Sequence, residues 1–362
     1  MSLKAHKFNT ISIPDIKEVQ GKDWVLFGDK NDFPQKLIEL YNNSAIHNTA
    51  LTAISEGILG EGIVGEGDNI VNRTGETLQS LFKKITNDYL IFGGYALNVI
   101  WNREGSSWAE LYHLPFQNVR AQKPDAFEVV SHYYYSKNWK QINKYPPLKY
   151  PAYNTQKTSD QYASQIYYCF DYSPGNIVYP LPYYRGALND IELDIRISKF
   201  HNSNISNGLA PSMMINFRNG IPSPEEQQQI YFDIQQTFAG QDEAGRFFLH
   251  FCDPGKELQV DPIENANDTY YITLEERISS RILTAHRITS PLLVGIRSGT
   301  GFSSNKDEII VSYGHLMGTV ILPKQKILLD TFSKIYGQNL TINPAPIIID
   351  QETIEVDQNI TE

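Results

Sequence analysis

The stretch YPLPYYRGALNDIELDIRISKF, Tyr179 to Phe200, decides how this chain is read. Pro180 and Pro182 fix φ near about −65° and remove two backbone donors, so the aromatic ramp that opens it is neither a helix interior nor a central strand. After Gly186 neither Gly nor Pro recurs until Gly208. Within that window Ile191, Leu193, Ile195 and Ile197 alternate with Glu192, Asp194 and Arg196, which in isolation is the pattern of a half-buried strand. Length decides for a helix, because about twenty uninterrupted residues are ordinary for a helix and unusual for a strand. Wound at about 100° per residue, Ala187, Leu188, Ile191 and Ile195 share one face, and Leu193, Ile197 and Phe200 share another. A helix apolar on two faces needs two covers. The second comes either from the same chain or from a neighbouring subunit.

Upstream of the ramp, helical patterns are predicted over Pro34 to Tyr41, Ser44 to Leu59 with Ser44 as cap, and the run ETLQSLFKKITNDYLIFGG. From Gly94 to about Tyr145 short β-rich runs broken by Gly, Pro and Asn read as an antiparallel meander, and QIYYCFDYS reads as a further strand. Residues 146–164 have the composition of a loop. Downstream, PSMMINF and RFFLHF read as strands flanking the helix SPEEQQQIYFDIQQTF, which Ser223 and Pro224 open. Another amphipathic helix, TLEERISSRILTAHRI, ends at Ser290-Pro291. A glycine- and serine-rich loop follows, and then a helical stretch from about Asn305 to Tyr336 that Pro323 should kink or break. The tail after Gly337 is polar and is expected to be poorly ordered. The fold class is therefore α+β.

With 362 residues, 41% of them hydrophobic, the chain has material for a large core, and its 22 tyrosines make it unusually aromatic. A formal charge of −10 argues against a protein that grips nucleic acid by neutralising phosphates. Cys169 and Cys252 are its two cysteines, so neither a disulfide scaffold nor a structural zinc site is expected. The start MSLKAHKFNTISIPD lacks an apolar signal core, and no apolar run approaches the roughly eighteen residues of a membrane span. A soluble, cytosolic product in a reducing compartment is expected, without membrane partners.

Catalytic constellations are sought with little return. Gly60-x-Gly62-x-x-Gly65 matches the dinucleotide fingerprint letter for letter, but that fingerprint works between a strand and a helix, and here it follows a helix with none opening at Gly65. It reads as a helix-ending turn. The eight histidines are scattered, and one such as His286 reads as a structural hydrogen-bonder. Glu225-Glu226 and Glu275-Glu276 read as solvated acids rather than a catalytic pair. The clusters HYYY and IYYC lack interleaved basic residues, so strand packing accounts for them better than base stacking. No catalytic, cofactor or metal site is assigned.

Three stretches, taken in order, resemble the portal proteins of tailed double-stranded-DNA phages, of the prophage type. They are YSPGNIVYPLPYYRGALNDIELDIRISKFHNSNISNGLAPSMMINF, EEQQQIYFDIQQTFAGQDEAGRFFLHF and AHRITSPLLVGIRSGTGFSSNKDE. The resemblance spans Ala45 to Tyr336 and is strongest from Ser173 to Asp307. It implies the portal fold: a mixed wing with antiparallel strands (1–185), stem helices at 186–207 and 272–290, a small α/β clip (208–271), a tunnel loop with a kinked helix (291–336), and a tail (337–362). It implies a homo-oligomeric ring of about twelve subunits at one capsid vertex, with no catalytic activity. The implied partners are the terminase large subunit, a head–tail adaptor, the major capsid or scaffold protein, and double-stranded DNA passing without sequence specificity. The implied place is the virion, with the host cytoplasm during assembly. Arg297, Phe302 and Lys306 would face the DNA channel, and Leu193, Ile197 and Phe200 a neighbouring subunit. An acidic balance suits a conduit that must not hold the phosphate backbone. The alternatives are a nucleotide-binding enzyme using the Gly60–Gly65 turn and a different connector or tail-ring protein.

Overall fold

The computed structural model describes residues 17–18, 20–154, 163–207, 213–217, 220–238, 247–253, 268–296, 305–344, 347–349 and 352–354. The chain divides into a larger unit, Met1–Glu192 with Ser279–Glu362, and a smaller one, Leu193–Ile278.

The larger unit opens with two short paired strands, β1 (Lys17–Glu18) and β2 (Val25–Leu26). Three helices follow: α1 (Phe33–Asn43), α2 (Ala45–Leu59) and α3 (Leu78–Phe92). The helix starts have visible local causes. The Ser44 hydroxyl accepts from the His47 amide at 3.3 Å, and the Thr77 hydroxyl from the Ser80 amide at 3.2 Å, each satisfying a first-turn donor. Gly93 ends α3 in a left-handed conformation, φ +83°. The predicted meander forms two antiparallel sheets, one of which takes in a strand at Leu148–Pro151, where a loop was expected. One has β3 (Gly94–Trp101) between β4 (Trp108–Leu114) and β8 (Ser164–Phe170). The other runs β5 (Val119–Ala121), β6 (His132–Tyr135), β7 (Leu148–Pro151).

The tyrosine runs pack as strands do. Tyr168 of β8 stacks on Phe116 and Tyr133, with centroids 4.9 and 4.7 Å apart. Beside them lies Arg120, fully buried, whose guanidinium donates to the carbonyls of Gln117, Val119 and Asn31 at 2.7–3.0 Å and to the Asn31 side chain. It lies over the rings of Phe27 and Trp139. Burial pulls its pKa down to about 10.

α4 (Leu188–Asn207), led in by a short 3₁₀ turn at Arg185–Ala187, is the helix expected from length rather than the strand suggested by alternation. It begins in the larger unit and continues in the smaller. There, β9 (Met213–Phe217) pairs in parallel with β10 (Phe247–Phe251). α5 (Pro224–Phe238) lies between them in sequence and starts with a reciprocal box: the Ser223 amide donates to the Glu226 carboxylate, and the Glu226 amide to the Ser223 hydroxyl. α6 (Asp268–Ala285) returns the chain to the larger unit.

Pro323 does not break the last helical stretch. α7 (Asn305–Leu316) passes through one π turn, Met317–Ile321, into α8 (Leu322–Tyr336). Proline lacks the amide that would bond four residues back, and a wider turn just before it absorbs that loss. Past Gly337, Leu340 and Ile342 are buried, and Ile342 bridges to Ile63, so the first tail residues are packed. β11 (Ile347–Ile349) and β12 (Glu352–Ile354) form a short hairpin.

Candidate functional site

The ramp is the most heavily anchored segment of the larger unit. Tyr179 stacks on Phe27 at 4.1 Å and 5°. Its buried hydroxyl donates to the Val25 carbonyl at 2.6 Å and accepts from the Ala121 amide at 3.0 Å. Tyr184 donates to the Ile91 carbonyl at 2.8 Å. Between these anchors the ramp runs so close to the end of α3 that a Cβ at Gly93 would lie 2.6 Å from the Leu181 carbonyl. Prolines set the extended path, tyrosine hydroxyls tie it to three different elements, and α4 leaves it already aimed.

Tyr183 points to a second feature. Its hydroxyl lies 2.7 Å from His286 Nδ1, just past the end of α6, and His286 Nε2 lies 2.9 Å from His47 Nδ1 on α2. Both histidines are fully buried. Burial holds the His47 pKa down to about 3, and burial, with His47 and Lys324 nearby, holds that of His286 well below the usual range. The Lys324 ammonium on α8 lies 3.9 Å from the Tyr183 ring centroid and 5.2 Å from that of Tyr89, and burial lowers its pKa to about 8. Tyr89 donates to Asp171 at 2.6 Å. The sequence shows His47 and His286 as unrelated positions 239 residues apart, and no spacing rule connects them.

On α4, Leu188 and Ile191 are buried in the larger unit, where Asp190 accepts from Arg281 of α6 at 3.0 Å. In the smaller unit His201 of α4 and Glu275 of α6 are 3.2 Å apart. Of the three residues expected to face a neighbouring subunit, Leu193 and Phe200 are 38% and 43% exposed, whereas Ile197 is 8% exposed and is covered by its own chain. The second apolar face is thus split. Ile221 and, on α5, Tyr231 and Phe232 add further exposed apolar surface to the smaller unit.

Arg297 and Phe302, expected at a channel, lie outside the described residues. Lys306 falls in the first turn of α7. The glycine turn is a helix end. Gly60, Gly62 and Gly65 all take positive φ, and Gly60 caps α2 by donating to the Glu56 carbonyl. The amides of Glu61 and Val64 donate to Asn343 and Thr341, that of Gly62 to Leu59, and that of Ile63 to the Gln79 side chain. These donors are spent within the chain, and the next helix opens only at Leu78, so the turn lacks the following helix that a phosphate-binding loop uses. Among the described residues no group of three or more His, Cys, Asp or Glu side chains is placed to hold a metal ion, and no helix is long and apolar enough to cross a membrane.

No protein-family model and no curated protein matches the sequence. Solved structures do. The chain is similar to one in the virion of a native gene transfer agent particle, with a TM-score of 0.56 and 16% identity over 86% of this chain and 84% of that one. It is similar to one in the neck of the native particle computed with C12 symmetry, with a TM-score of 0.56 and 16% identity over 88% and 85%. A fainter likeness, TM-score 0.41 and 12% identity over 83% and 88%, is to the crystal structure of an HK97-family phage portal protein from Corynebacterium diphtheriae. At such identities what is shared is the fold. The expected α+β architecture is the one observed, and it is shared with those chains.

Proposed function

We propose that the chain is a structural ring subunit of the portal class: many copies close a ring at a capsid vertex, and double-stranded DNA passes through its centre. The observation that carries this reading is the fold shared with a virion neck chain over most of both chains. The local physics supports it. α4 is apolar on two faces, its own chain covers one face and Ile197, and Leu193 and Phe200 stay exposed at the position a neighbouring subunit would cover. Fully burying a leucine or phenylalanine contributes roughly 1.5–3 kcal/mol. Leu193 and Phe200 are already more than half covered, so each joint of a closed ring would gain part of that from them, alongside its other contacts.

In this reading residues 1–185 are the wing, α4 and α6 the stem, 208–271 the clip, and Arg297, Phe302 and Lys306 line the channel. The net charge of −10 keeps the channel from binding the phosphate backbone tightly. Terminase large subunit, head–tail adaptor, and capsid or scaffold protein are the partners, and the virion is the place. No catalytic role is assigned. The nucleotide-enzyme alternative loses its footing in the occupied amides of the glycine turn.

The test is the solution mass of the purified chain together with negative-stain images of the same sample. Rings of about twelve subunits with an open centre are expected. A chain that stays monomeric at high concentration, with and without scaffold protein, would overturn the reading. Deleting residues 299–304 then separates a portal from another connector: the portal keeps its ring but retains less packaged DNA.

A further inference from the structure

The buried histidine pair is used by neither the ring reading nor the packing account, and its hydrogen bonding is incomplete. Two contacts connect Tyr183, His286 and His47 in a row, and the far nitrogen of His47, Nε2, is buried with no hydrogen-bond partner among the described residues. Whichever way the protons are arranged, two neutral rings satisfy the two contacts and leave that nitrogen unmatched. A third proton on His286 keeps both contacts but places a cation beside Lys324. A fourth sets N–H against N–H between the rings. The neutral pair is therefore the arrangement compatible with the closed structure.

The surroundings offer little to hold added charge. The ramp presents Tyr183 and Tyr184, the residues after α6 present His286 and Arg287, and α8 presents Lys324. α3 presents Tyr89, whose hydroxyl is engaged by Asp171, a carboxylate at the edge of the cluster. α1 keeps Lys36 and Glu39 exposed, and the Pro291–Val294 and Met317–Ile321 turns against α2 carry no titratable side chain. With Lys324 and Asp171 already opposite in sign, each further proton leaves a net positive charge under the ramp.

We propose that His47 and His286 form a proton-operated latch: mild acid opens the seam between α2 and the residues after α6, freeing the base of the ramp while the β4-β3-β8 sheet stays folded. The sign follows from depressed histidine pKa values. At pH 7.5 both histidines are neutral in the closed and in the open state. Below the ordinary value of 6.5 the open state takes up protons that the closed state refuses, and for His47 this continues down to about 3. Each histidine then favours opening by about 30-fold at pH 5 relative to pH 7.5.

Hydrogen exchange of the full chain between pH 7.5 and 5, corrected for intrinsic rates, reads the latch directly. Protection across 181–187 and 282–290 is expected to fall by about 30-fold or more at pH 5, with strand β3 unchanged. The doubly substituted chain His47→Gln, His286→Gln is expected to lose this acid response. A wild-type response absent at those segments, or an equal response in the variant, would overturn the proposal. Should the variant fail to fold, nuclear magnetic resonance of selectively labelled histidines in the wild-type chain decides it. Both rings must stay neutral until protection is lost, and either ring titrating near 6.5 with protection intact would overturn the latch.

Discussion

The two halves of α4 differ in who covers them. From Leu188 to Glu192 the helix is held by its own unit: Leu188 and Ile191 are buried, Asp190 is bonded to Arg281, and the ramp before it is tied down by tyrosine hydroxyls. From Leu193 onward the same helix leaves Leu193 and Phe200 open while covering Ile195 and Ile197. One continuous sequence pattern thus serves two purposes. Where the chain supplies its own cover, apolar residues make stability. Where it does not, they leave exposed apolar surface, the one proposed to meet another copy.

Substitutions test that contrast. The largest effect is expected from Leu193→Asp with Phe200→Asp, which should abolish ring formation in size-exclusion and negative-stain assays while leaving a folded monomer, its unfolding free energy lowered by about 1–2 kcal/mol. Ile197→Asp, on the same expected face, should do the reverse. It buries a charge inside the unit and should cost about 3 kcal/mol or more in denaturant unfolding. If Ile197→Asp leaves stability intact and blocks assembly instead, the division drawn along α4 is wrong.

On the anchored side, Gly93→Ala combines a left-handed φ with a 2.6 Å approach to the Leu181 carbonyl, and a loss of about 3 kcal/mol is expected, read as a lowered denaturation midpoint. Tyr179→Phe removes one buried hydroxyl that both donates and accepts, and should cost about 1–3 kcal/mol. The smallest effect belongs to Arg281→Ala. Its side chain is 73% exposed, so removing the pair with Asp190 should cost about 0–1 kcal/mol and fade with added salt. A large effect there would mean that the ion pair, rather than the apolar faces, aligns α4 with α6.

Much of the architecture was legible locally. Ser44 and Ser223 start helices by side-chain bonds to amides three residues on, an interaction that any reader of four residues can foresee. The pattern at α4 needed length as well as period, since the alternation from Ile191 to Ile197 alone favours a strand. Pro323 illustrates a limit: its missing donor was visible, but whether a helix breaks or widens there depends on what packs against it. Here Gln325 donates to the Ile58 carbonyl, and Ile321 lies against Gly57, where a Cβ would meet it at 2.4 Å. That packing favours a π turn over a break.

By itself, then, the sequence determined the elements, the extended ramp, and the helix with two apolar faces, because backbone donors, φ restrictions and side-chain period act within a few residues. Tertiary structure alone decided three things. It covered Ile197 and left Phe200 open, it engaged the Glu61 and Val64 amides of the glycine turn on Asn343 and Thr341, and it brought His47 to within 2.9 Å of His286. Each depends on burial, and burial is set by segments far apart along the chain, whose meeting no local pattern encodes.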